Sequence, residues 1–93
     1  MAAPEAGIDV ELRARAVDAI TTQLRRLLNR DGPITEDMLM AEQLGLSSSL
    51  GLELLLEVEE MLGVQIDVET MAPERTRTVG ELATFVAGHG RPW

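Results

Sequence analysis

The chain contains no cysteine, no lysine and no tyrosine, and Phe85, Trp93 and His89 are each the single residue of their kind. Without cysteine there are no disulfides, no thiolate metal sites and no cysteine nucleophile; stability must come from packing, and the absence fits a reducing, cytoplasmic setting. Without lysine, nothing matches the cation that reaches phosphates in nucleotide-binding loops, and Gly45, Gly51 and Gly63 are too scattered to form such a loop. An ATP-using enzyme is therefore not expected. Aromatic poverty beside 45% hydrophobic residues leaves Leu, Val, Ile, Met and Ala to build the core. That composition favours helix.

Long apolar runs are missing too. No stretch approaches the roughly 20 apolar residues that span a bilayer, and Met1 to Gly7 has neither a basic segment nor an apolar core. The expectation is a soluble cytoplasmic protein with no membrane partner. Ninety-three residues suit one compact domain, 1–93, with an ordered core of about 8–88 and flexible ends.

Charge is abundant but uneven. Residues 1–30 hold five Arg against four acids, residues 31–74 hold eleven acids and no base, and residues 75–93 hold three Arg against one acid. A middle block of that sign repels nucleic acid and favours partners with basic docking patches.

Helical periodicity runs from about Ile8 to Asn29, with Val10, Ala14, Val17, Ile20 or Thr21, Leu24 and Leu28 as the apolar stripe. Asp31, Gly32 and Pro33 stop it. Residues 33–47 read as a long connection pinned to the core by Ile34, Met38, Leu39, Leu44 and Leu46. A second helix is predicted from Ser48 to Leu62, ended by a left-handed Gly63. Asp67 caps a brief third helix through about Met71, before Pro73. Thr78-Val79-Gly80-Glu81 is a capping box that opens the last helix, and Gly88 and Gly90 let the tail fray. The fold class is all-α.

The chemistry-bearing residues are few. A serine–histidine–aspartate triad needs His89, which sits in a glycine-flanked tail, and no acids stand at EF-hand spacing. No residue earns a catalytic role, no metal site is expected, and the protein is not read as an enzyme. Glu53, Glu57 and Glu60, four and three apart, form one acidic helix face that serves either solubility or the docking of partners. Leu54, Leu55, Val58, Met61 and Leu62 oppose it as core; some of them, with Val64, Ile66, Val68 and Met71, can open a groove for an acyl chain.

What remains is Leu44-Gly45-Leu46-Ser47-Ser48-Ser49-Leu50, three serines where a loop becomes a helix. Ser47 or Ser48 as a helix cap is one explanation. A serine carrying a phosphate group is the other, because a helix start favours an anion.

At these residues the sequence resembles the acyl carrier and peptidyl carrier protein family. The family pattern of Leu-Gly, one residue, Asp, Ser, an apolar residue and an acidic helix ended by Gly falls on Leu44, Gly45, Ser47, Ser48 and Gly63, with Leu54 and Val58 at the helix's apolar positions. Ser47 stands in place of the Asp, and Ser49 in place of the apolar residue. The resemblance implies a four-helix bundle of three longer helices and one short one, with a long loop after the first. It implies that the Ser48 hydroxyl accepts phosphopantetheine from coenzyme A by the action of a phosphopantetheinyl transferase, Ser49 being the alternative. The arm then carries intermediates as thioesters among loading and condensing enzymes that meet Glu53, Glu57 and Glu60. The expected protein is a free-standing monomeric acyl carrier of polyketide-type specialised metabolism; a peptidyl carrier of nonribosomal peptide synthesis, an unmodified carrier-like docking module and an unrelated helical-bundle subunit are the alternatives.

Overall fold

The computed structural model describes residues 9–92. Three α-helices make the bundle: α1 (Val10–Leu28), α2 (Ser48–Leu62) and α3 (Val79–His89). Single 3₁₀ turns at Val68–Thr70 and Pro73–Arg75 lie between α2 and α3. The brief third helix is thus one turn, capped by Asp67 as expected, with its carboxylate accepting from the Glu69 amide at 3.0 Å.

Helix α1 starts where Asp9 accepts the Leu12 amide at 3.1 Å; Ile8, the expected first residue, lies outside the described residues. It ends at Leu28, one residue before the expected Asn29, because Asn29 itself adopts the left-handed conformation at φ 53°. Asparagine tolerates that region better than most residues.

The expected stripe of α1 holds at Val17, Ile20, Thr21, Leu24 and Leu28, which are buried or packed against the core, but not at its start. Ala16, Ala19, Ile20, Thr21, Gln23 and Leu24 face inward, whereas Val10 is 76% exposed and Ala14 is also exposed. The small side chains of Ala16 and Ala19 let the neighbouring helices approach, which turns the inner face towards them. Gln23 is tolerated there because its amide is satisfied: it donates to the Met61 sulfur at 3.1 Å and accepts from Arg26 at 2.9 Å.

Ile20, Leu24, Leu54, Val58, Val79 and Val86 are the largest fully buried side chains, so α1, α2 and α3 meet in one apolar core. The predicted capping box of α3 is present: Glu81 N donates to Thr78 Oγ1, and Thr78 N to the Glu81 carboxylate, each at 3.1 Å. Instead of fraying at Gly88, α3 continues to His89, and Arg91–Pro92 pairs antiparallel with Val64–Gln65. We name these two-residue strands β2 and β1. No strand was expected; pairs this short leave no alternation to detect in the sequence.

The loop between α1 and α2 is sewn to the start of α3. Met40 N donates to Arg77 O at 2.9 Å, Val79 N to Met38 O at 3.3 Å and Gly80 N to Glu36 O at 2.8 Å. Arg13 of α1 closes the same junction, donating to Glu36 Oε1 at 2.7 Å, Thr84 Oγ1 at 2.9 Å and Gly80 O at 3.3 Å.

Gly80 is required by this close approach. A Cβ there would sit 2.9 Å from Glu36 Oε1, 3.2 Å from Glu36 Cβ and 3.3 Å from Glu36 O. Gly80→Ala is therefore expected to destabilise the fold by about 1–3 kcal/mol despite the better helix propensity of alanine. Urea denaturation of the variant beside the parent measures this; unchanged stability would show that the loop moves aside freely.

Candidate functional site

The start of α2 is built residue by residue from the segment before it. Leu44 is buried in the core, and Gly45 turns the chain at φ 76° while its amide donates to Ala41 O at 3.1 Å. An L side chain at that φ would be strained. Leu46 is half-buried, its Cδ2 lying 3.8 Å from where a Cβ on Gly51 would stand, and its amide donates to Met40 O at 2.9 Å. With Leu44 and Leu46 both anchored, the next residues come to the surface at a fixed place.

Ser47 is the cap. Its backbone is extended and its Oγ accepts the Leu50 amide at 3.2 Å. Ser48 and Ser49 are the first two residues of α2 and both are exposed, while Leu50 is half-buried. All three serines are exposed; the Ser47 hydroxyl is engaged as the cap, which leaves Ser48 and Ser49 as the candidates for attachment.

Beside Ser48 opens a groove of about 880 Å³. That volume lies within the roughly 300–1,000 Å³ common to small-molecule sites. Ser48 lines it and Ser49 does not. Leu54, Leu55, Val68 and Met71 line it, as the sequence allowed; Val58 is buried in the core as expected, Val64 and Ile66 are buried there too, and Met61, expected in the core, is 45% exposed. Met40, Leu46, Leu52 and Leu82 complete the apolar wall, with Glu42, Glu74 and Arg77 as its charged members. Only Leu52 was within reach of sequence reasoning, since it stands one helical turn after Ser48 and so shares its face.

Glu53 and Glu60 are exposed, and Glu57 is half-buried, its carboxylate 3.6 Å from Arg26 of α1. Part of the expected acidic face is therefore internally paired. Leu52 and Leu56, 59% and 62% exposed, lie beside the acids, so the outer surface of α2 is both apolar and negative. Glu59, outside the expected row, accepts the Ile66 amide at 2.6 Å and fixes the chain leaving α2. His89, expected to be unsupported, stacks on Phe85 with ring centroids 4.5 Å apart.

Two carboxylates are held below the usual range. Glu36 is lowered by the hydrogen bond from Arg13 and by that residue's charge, and Glu42 by the hydrogen bond from Arg77 together with a backbone contact. Both link the loop to other elements.

A sequence model described as the phosphopantetheine attachment site matches residues 18–86. The chain belongs to that family. Its members carry phosphopantetheine covalently, and the match runs from within α1 to the last turns of α3, so it takes in the loop, the serines and the groove. No curated protein and no solved structure matches the chain. The residues fit the group: an exposed serine stands at a helix start, where backbone amides favour a phosphate, and an apolar groove adjoins it. Among the described residues, no helix is long and apolar enough to cross a membrane.

Two expectations follow. Ser47→Ala should cost about 1 kcal/mol of stability through the lost cap, and Ser47→Asp should restore it, read by chemical denaturation. The depressed Glu36 and Glu42 contribute stability that is present above their ordinary pKa near 4.5 and lost as pH falls through their lowered values. Acid unfolding monitored by circular dichroism should accordingly lose part of its pH dependence below 4.5 in the Arg13→Gln, Arg77→Gln double variant, which removes both partners.

Proposed function

We propose that this protein is an acyl carrier in which Ser48 holds the phosphopantetheine arm. The observation that carries the assignment is the placement of Ser48, exposed at the start of α2 and on the lip of the apolar groove, while Ser47 caps the helix and Ser49 stands off the groove. In the attachment, Ser48 Oγ forms a bond to the phosphorus that carries the pantetheine. The pyrophosphate bond of coenzyme A breaks, adenosine bisphosphate leaves, and the serine proton passes to the transferase or to water. When bound, the arm supplies a thiol that carries acyl groups as thioesters.

The groove supports acyl cargo, since its wall is mostly apolar and takes up a hydrocarbon chain. Ser47 and Ser49, where the family pattern has an aspartate and an apolar residue, support a role in specialised metabolism of the polyketide type. Loading and condensing enzymes and the transferase meet the outer face of α2 through Glu53 and Glu60, with Glu57 joining when it leaves Arg26. Rim charges of this kind speed encounter and allow quick release. The protein itself presents cargo and leaves chemistry on it to those enzymes.

Incubation with coenzyme A and a broad-specificity transferase, followed by intact-mass measurement, tests the site. The parent should gain one arm, Ser49→Ala should gain it, and Ser48→Ala should not. Loss only in Ser49→Ala moves the site by one residue; no gain in any sample, beside a modified control carrier, favours the unmodified docking module. Replacing Glu53 and Glu60 together by lysine should lower transferase kcat/KM by about tenfold at low salt and by less at high salt, as expected of electrostatic steering.

A further inference from the structure

We infer that the groove beside Ser48 is selective for an acyl chain ending in a carboxylate, with Arg77 as the group that receives it. This rests on the carrier reading and names its substrate class. Among the described residues that line the groove, Arg77 is the single cation, Glu42 and Glu74 are the two anions, and the remaining wall is chiefly apolar. A saturated chain needs no charge in such a wall. An anionic chain end needs one cation at a fixed place, and the two acids oppose its settling anywhere else.

Arg77 is fixed in that sense. Its carbonyl accepts the Met40 amide at 2.9 Å and its own amide donates to Glu81 Oε1 at 3.1 Å, so the backbone is held from both sides. The guanidinium makes a one-point contact, Nη2 to Glu42 Oε2 at 2.6 Å, and the side chain is 54% exposed. A guanidinium carries five donors in a planar fork, so its other edge remains able to hold a carboxylate through two parallel bonds. The plainer role of Arg77, tying the loop to α3 through Glu42, predicts no dependence on what the cargo carries.

The experiment uses the full chain with its arm attached and loaded with either a medium-length monocarboxylic acyl group or the dicarboxylic acyl group of equal carbon count. Thioester half-life at neutral pH and the methyl shifts of Leu52 and Leu55 are recorded for the parent, Arg77→Gln, Arg77→Lys and Glu42→Gln. With the dicarboxylic cargo, the half-life should fall roughly two- to fivefold in Arg77→Gln, the size expected of a half-exposed ion pair. It should recover in part in Arg77→Lys, and lengthen in Glu42→Gln, where the competing carboxylate is gone. The monocarboxylic cargo should respond to none of the three. Equal responses for both cargoes would overturn the inference and leave Arg77 its structural role; an Arg77 response already present with the unloaded arm would overturn it in favour of contact with the arm's phosphodiester. Failure of the carrier reading is seen separately, as an unchanged intact mass before any loading, and would overturn both.

Discussion

The backbone pairing between the first loop and the start of α3 is what the site depends on. Residues 29–47 contain no helix, and a free segment of that length would leave the beginning of α2 unplaced. Met38 and Met40 bond to Val79 and Arg77, Glu36 receives the Gly80 amide, and Arg13 reaches from α1 to join Glu36, Gly80 and Thr84. Once that seam is closed, Leu44 drops into the core, Gly45 makes its left-handed turn and Leu46 settles by Gly51. The three serines arrive at the surface as a result. Their position is thus determined from the far end of the chain as much as from their neighbours.

How much of this was legible in the sequence follows from the range of the forces involved. Caps and terminators are local: Asp67, Thr78 with Glu81, and Gly63 act within a few residues, and each stands where its side chain or backbone freedom indicated. The inner face of α1 is not local. Val10 and Ala14 fit a helical stripe as well as Ala16 and Ala19 do, and only the arrival of α2 and α3 selects between them. The same holds at the groove, where Leu54, Leu55, Val68 and Met71 could be foreseen from the elements around α2, whereas Met40, Arg77 and Leu82 reach it through the loop seam. Gln23 was hidden for a different reason: a buried polar side chain is acceptable only when its partners are known, and Met61 lies in another helix.

The charge pattern gains meaning once folded. The eleven acids of residues 31–74 do not form one patch. Glu36 and Glu42 are taken up by Arg13 and Arg77, Glu57 by Arg26, and Glu59 by the Ile66 amide. What α2 offers to the outside is Glu53 and Glu60 among exposed Leu52, Leu56 and Met61. A surface of that mixed kind is what the proposed docking of basic partners would call for, charge for the encounter and apolar area for the contact.

The short pairing of β2 with β1 has a directional consequence. Strand β1 follows the C-terminal end of α2, so the strand after α3 is tied to that end, and Ser48 occupies the other. A helix of this length separates the two by roughly 20 Å at 1.5 Å per residue. The pairing therefore braces the pole of the bundle opposite the serine and leaves the end of α2 that carries Ser48 to be held by the loop alone.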